Sequence, residues 1–214
     1  AEAYNVPVQS HLSENHGEID WVAALHPEAA NYTDVYYEHH LMGKVPTVMA
    51  HCIHLSDVEM DLMAETQTMV SHCPYSNVNL SSGIAPIRKL FERKIPIGLG
   101  SDISGGHIVS MAKVLTEAIG LSKMKWVEVD QTYAPLTLSE AFYMATKGGG
   151  KFFGKVGSFE KGCELDALVI DDTTLFDPNE RSLEERLERW LYVGDDRHIV
   201  ERYVAGKVAP EPTN

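Results

Sequence analysis

"PTVMAHCIHLSDVEMDLMAET", residues 46–66, decides the fold. The stretch opens on "PTVMAHC", a short apolar run of strand character. Ser56 then precedes Glu59 by three residues, the spacing of a capping box, so "SDVEMDLMAET" reads as a helix entered from that strand. The same order recurs on both sides. Upstream, "VPVQSH" (6–11) is strand-like and "EIDWVAALHP" (18–27) is helical, with Pro27 near its end. Downstream come a strand "TMVSHCP" (68–74), a basic amphipathic helix "IAPIRKLFERK" (84–94), a strand "IPIGLGSD" (95–102) and a long helix "HIVSMAKVLTEAIGLSK" (107–123). Four strand–helix units in about 115 residues predict an α/β architecture with a parallel sheet.

The region after residue 150 differs. "KVGSFEKGCELDALVIDD" (155–172) carries glycine turns and an apolar strand, "ALVI". "WLYVGDDRHIVERYVAGKVAP" (190–210) reads as two strands around a polar "GDDRH" turn, with "AGK" as a further turn. Between them, "FDPNERSLEERLER" (176–189) is a charged connector that becomes helical. These pieces predict a small accessory β-domain.

The chain has 214 residues, 44% hydrophobic, with a formal net charge of −13. That size and composition support a buried core. The acidic balance argues against nucleic acid or an anionic membrane as partner. No apolar run is long enough to suggest a membrane span, and the N-terminal residues do not read as a signal peptide. Cys52, Cys73 and Cys163 have no CxxC spacing, so neither a disulfide framework nor a zinc ribbon is expected, and a reducing cytoplasm is the default location.

The strand ends hold the chemistry. The four strands finish in His11, His51, His72 and Asp102, and parallel β/α barrels carry their catalytic groups at that face. His11 can offer a neutral imidazole to a metal, and Glu14, three residues on, can carry a proton beside it. A capping histidine with a surface glutamate is the plainer alternative. Alternation along the strand sets His51 and Cys52 on opposite faces, with His51 toward the barrel mouth and Cys52 against a helix. The same reasoning extends to His72 and Cys73. Either histidine can instead be a hydrogen-bonded core residue. Asp102 can bind metal or accept a proton from water, and the following "SGG" permits a close approach; it can also cap the next helix. In the polar loop "CPYSNVNLSSG" (73–83), Ser76, Asn77 and Asn79 can hydrogen-bond a heterocycle, although such loops are commonly turns. "KGGGKFFG" (147–154) lacks the ending of a phosphate loop and reads as a helix end.

Together, "QSHLSEN", "MAHCIHLSDVE", "SHCPYSNVNLSSG", "GLGSDISGG", "ATKGGG" and "YVGDDRHI" resemble the guanine deaminase family of the metal-dependent amidohydrolase superfamily. The resemblance covers almost the whole chain. It implies the C-terminal half of a (β/α)8 TIM-like barrel, strands five to eight, over residues 1–150, followed by the C-terminal part of the accessory β-domain with its connecting helix over 151–214. It further implies one divalent metal, zinc with iron as the alternative, held by His11, His51 and Asp102. Glu14, His51 and Asp102 are implied as the catalytic groups, and His11, Glu14 and Asp102 as the groups that contact a small purine substrate. The implied reaction, a step of purine catabolism, converts guanine and water to xanthine and ammonia. An amidohydrolase acting on oxidised guanine, a pterin or a triazine is the alternative.

The sequence departs from the family pattern in two places. It contains no HxH pair, which the family places on the first barrel strand as two metal ligands, and it lacks the substrate-binding arginine upstream of the fifth. A closed barrel has no edge strands, and complete barrels run to about 250 residues. Four strands are therefore expected to need self-association in a homo-oligomer or a complementing N-terminal half, and the chain alone is expected to be a non-catalytic half-barrel.

Overall fold

A computed structural model describes residues 1–210. The expected accessory region, 151–214, thus extends past it, and residues 211–214 lie outside the described residues.

The first part of the chain alternates strand and helix: β1 (Val8–Leu12), α1 (His16–Leu25), α2 (Tyr32–Glu38), β2 (Thr47–His51), α3 (Asp57–Thr66), β3 (Met69–His72), α4 (Pro74–Asn79), α5 (Ile87–Glu92), β4 (Ile97–Leu99) and α6 (Met111–Glu128). The four strands form one parallel sheet in the order β1-β2-β3-β4. Parallel neighbours need a crossover between them, and here the intervening helices provide it.

One face of the sheet is packed. Leu12, Met49, Val70 and Ile97 point into a core shared with Met60 and Met63 of α3, Leu90 of α5 and Leu115 and Ile119 of α6. The capping box read from Ser56 and Glu59 is present, and Glu59 also accepts from the Thr33 hydroxyl at 3.1 Å, tying α3 to α2. The other face is open. Gln9, Val48, Ala50, Met69 and Ser71 line a concavity of about 1300 Å³ there.

Three readings need correction. The loop 73–83 contains a helix, α4, started by Pro74 at its first turn, where a missing N–H costs nothing. The predicted helix 107–123 begins only at Met111 and runs on to Glu128. "WLYV" is not a strand but the end of α8 (Leu183–Val193). Ser182 and Glu185 form a capping box at its start, and Leu187, Trp190 and Leu191 fall on one face, the last two buried in the core. Helical periodicity extends through four residues of strand-like composition.

The glycine run reads correctly as a helix end. The helix α7 (Leu138–Tyr143) continues through a wider turn, Met144–Gly148. A Cβ on Gly98 would lie 2.8 Å from the Gly149 Cα, and one on Gly148 would lie 2.7 Å from the Ile97 carbonyl. The glycines let this helix end lie directly on β4. Beyond it, β5 (Ala167–Ile170), β6 (Ile199–Val204) and β7 (Lys207–Val208) form a separate antiparallel sheet, with Ala205 and Gly206 in the turn.

Candidate functional site

The site is built where the backbone leaves the β pattern. Ser13, His51, Cys52 and Asp102 all have positive φ, at 50°, 71°, 51° and 44°. Non-glycine residues seldom adopt this conformation, and such strain gathers at functional sites. At β2 it has a direct effect. Met49 points into the core, so simple alternation would send His51 to the helix side as well. The two left-handed residues reverse this. His51 turns to the open side of the sheet and Cys52 enters the core, fully buried. The expected separation of the pair is present, but the backbone rather than alternation produces it.

β3 has no such break, and its alternation continues. Val70 is in the core, Ser71 and Cys73 face the open concavity, and His72 points back among the helices, lining a small cavity with Ile87, Ala118, Ser122 and Lys125. The expectation for His72 and Cys73 is therefore reversed. His72 is a core residue: burial pushes its imidazole down to about 3, with nearby His51 adding to the shift, so it stays neutral. Cys73 is on the open side, where burial pushes its thiol up to about 11, against a lowering hydrogen bond with Ser71.

Four of the predicted groups converge. His11 at the end of β1 and His51 stack at 5.3 Å between ring centroids. His51, only 1% exposed, places Nε2 3.8 Å from Glu14 Oε2 and 3.9 Å from Asp102 Oδ2, with the two carboxylates 15% and 31% exposed. Glu14 is held from two sides. Its backbone N–H donates to Glu18 Oε2 at 2.7 Å, and its Oε1 accepts from the Ser82 hydroxyl at 2.9 Å. The turn after Asp102 closes through the Gly106 N–H to the Asp102 carbonyl at 2.6 Å. A Cβ on Gly105 would lie 2.6 Å from both Asp102 Oδ2 and Ser76 Oγ, so a side chain there would displace these two groups.

The polar loop residues act within the protein. Asn77 Oδ1 lies 2.9 Å from His51 Nδ1, and Asn79 Nδ2 donates to the Gly105 carbonyl at 2.7 Å. Ser76 Oγ is buried without a hydrogen-bond partner among the described residues. Ser82 and the bond between His51 and Asn77 were not legible as site features, because both depend on how α4 folds back across the strand ends.

Two imidazoles and a carboxylate are suitable donors for zinc, which takes nitrogen and oxygen ligands in sets of three or four. Their chemistry fits a divalent ion, but their spacing supplies only part of a ligand set. Among the described residues no group of three or more His, Cys, Asp or Glu is close enough to hold an ion. No helix among the described residues is long and apolar enough to cross a membrane.

The model of the amidohydrolase family matches residues 1–209. The guanine deaminase of Dictyostelium discoideum is 42% identical over 206 residues, covering 93% of this chain and 45% of that protein. A crystal structure of guanine deaminase from C. acetobutylicum, with guanine bound in its active site, superposes with a TM-score of 0.93 at 52% identity, over 96% of this chain and 49% of that one. An adenosine deaminase from Xanthomonas campestris with bound zinc superposes with a TM-score of 0.81 at 25% identity, over 97% of this chain and 46% of that one. The chain spans about half the length of the curated relatives it matches.

Proposed function

The chain belongs to the amidohydrolase family, and from that premise we propose that it supplies half of the active site of a guanine deaminase, which converts guanine and water to xanthine and ammonia. In this reading β1 to β4 are barrel strands five to eight, residues 1–150 are the half-barrel and 151–214 belong to the accessory β-domain. The observation that carries it is the convergence of Glu14 and Asp102 on His51 Nε2, within 4 Å each, beside the stacked ring of His11. The guanine-bound relative supports the choice of substrate.

Deamination needs water added at the carbon bearing the exocyclic amine, and protons delivered to the ring nitrogen and the departing nitrogen. Asp102 accepts a proton from the water. His51 Nε2 holds that water in line. Glu14, buried enough to be shielded yet anchored by Ser82, delivers that first proton to the ring nitrogen and then the second, released from the new hydroxyl as it becomes the carbonyl, to the amine, whose C–N bond breaks to give ammonia. His11, Glu14 and Asp102 line the face that the purine meets. His11 and Asp102, joined by His51 when its Nε2 lone pair is given to the metal instead of the water, would hold a divalent ion, zinc or iron, whose Lewis acidity would make water a nucleophile near neutral pH.

The test is to join the chain to an N-terminal half carrying the HxH pair and to follow guanine loss and xanthine formation by absorbance. Turnover is expected, falling about 100-fold or more in Glu14→Gln. The chain alone is expected to show none. A joined enzyme that binds metal, leaves guanine intact and deaminates a pterin or triazine would overturn the substrate assignment.

A further inference from the structure

The reaction proposed above gives no part to Asn77, although its side-chain oxygen meets His51 while its amide nitrogen is buried without a hydrogen-bond partner among the described residues. Asn77 lies on α4 and is fully buried. Its backbone N–H donates to the Cys73 carbonyl at 3.0 Å, and its own carbonyl accepts from the Ser82 N–H at 2.8 Å. Both ends of the peptide are therefore fixed when its side-chain Oδ1 meets His51 Nδ1 at 2.9 Å.

A neutral imidazole has one N–H and one lone pair, and the hydrogen bond at one nitrogen decides which the other presents. A side-chain carbonyl oxygen can only accept. Paired with Oδ1, Nδ1 must carry the proton, and Nε2 then offers its lone pair between Glu14 and Asp102. Without that partner the opposite arrangement is favoured. An Nε2–H would turn to the two carboxylates 3.8 and 3.9 Å away, and the lone pair would be lost to the site.

We propose that Asn77 is a positioning residue that fixes His51 in its Nδ1–H tautomer, so that Nε2 is available to water or to a divalent ion. For a neutral imidazole facing Oδ1 the tautomer follows from the pairing; its use in catalysis rests on the function proposed above. The same bond explains why a fully buried asparagine is placed on a short helix directly behind the strand end.

Two substitutions separate the possibilities. Asn77→Asp keeps an acceptor and removes the amide donor, whereas Asn77→Leu removes both at similar volume. The first readout is a long-range ¹H–¹⁵N correlation spectrum of the chain labelled with ¹⁵N-histidine, with His51 assigned by its loss in His51→Gln. His51 is expected as Nδ1–H in the parent and in Asn77→Asp, and as Nε2–H or a mixture in Asn77→Leu. A parent spectrum showing Nε2–H overturns the proposal, because the amide N–H would then donate to Nδ1, as does loss of the Nδ1–H form in Asn77→Asp, whose carboxylate still accepts from Nδ1. Should Asn77→Leu fail to fold, judged by circular dichroism, the parent and Asn77→Asp spectra still decide. The second readout is turnover by the joined enzyme. Asn77→Leu is expected to lower kcat about 10- to 100-fold with KM for guanine little changed, and Asn77→Asp to restore most of it. An unchanged kcat in Asn77→Leu overturns the catalytic part. If the joined enzyme leaves guanine untouched, the spectra still report the tautomer, so that failure would belong to the assigned reaction.

Discussion

His51 and His72 stand at the same place in successive units, each followed by cysteine, yet they lie on opposite sides of the sheet. The difference is backbone: His51 and Cys52 are left-handed, while β3 keeps its alternation. For His72 the consequence is a cost. Its Nδ1 is buried without a partner among the described residues, and its imidazole is held neutral down to about 3. The unfolded chain takes up that proton near the ordinary value of about 6.5, whereas the folded chain does not. Folding stability should therefore fall as pH drops below about 6.5, with a slope approaching about 1.4 kcal/mol per pH unit from this residue. Replacing it, His72→Leu, should flatten the stability profile between pH 6.5 and 5, measured by urea unfolding. An unchanged slope would show that His72 titrates normally. The sequence revealed all four strand-end groups and their spacing. It could not reveal which histidine faces the site, because residues 51 and 52 carry no glycine to signal a change of backbone hand.

Among the elements, α5 and α7 are joined by one ion pair with well-defined geometry. Arg88 donates to both Glu140 oxygens, at 2.6 and 2.8 Å, and to the carbonyls of Ala134 and Pro135. The guanidinium beside it holds the Glu140 carboxyl down to about 2, with the Thr137 cap adding to the shift. Because this value lies below the usual one, the pair stabilises the fold fully above about pH 4.5, and its contribution fades as pH falls toward 2. Glu140→Gln keeps the shape of the capping box and removes the charge. At pH 7 it should cost about 1–2 kcal/mol, discounted for partial exposure, and the gap to the parent should narrow by about half at pH 3 and close only toward pH 2. A constant gap in urea midpoint between the two pH values would refute the ion-pair account. The start of α3 was legible from its capping box; the region of α8 reads only as a charged connector that becomes helical, and the capping box at the start of α7 was missed. The end of α8 was not legible, since Trp190 to Val193 have strand-like composition and only burial of Trp190 and Leu191 against the core keeps them helical. The helix α4 was missed because proline, serine and asparagine are turn formers too.

At the scale of the whole molecule, β1 and β4 each have one neighbour in the sheet, and the open face forms a concavity of about 1300 Å³. Trp21 and Leu25 of α1 are exposed, and α1 buries none of its residues. Unpaired edges and apolar surface invite another chain. The chain alone should self-associate with rising concentration in sedimentation velocity and bind a hydrophobic dye, and addition of the N-terminal half should suppress both. A monomer that binds no dye would show that the face needs no cover. The sheet order has a kinetic consequence. Each of its strands pairs with the strand made just before it, so no contact in the sheet waits for a distant segment. Each unit can settle on the last as it leaves the ribosome, and the loop-closure entropy of every step stays small. Growth of this kind has no natural end point: the last strand to dock is as ready to template a further one as the first was.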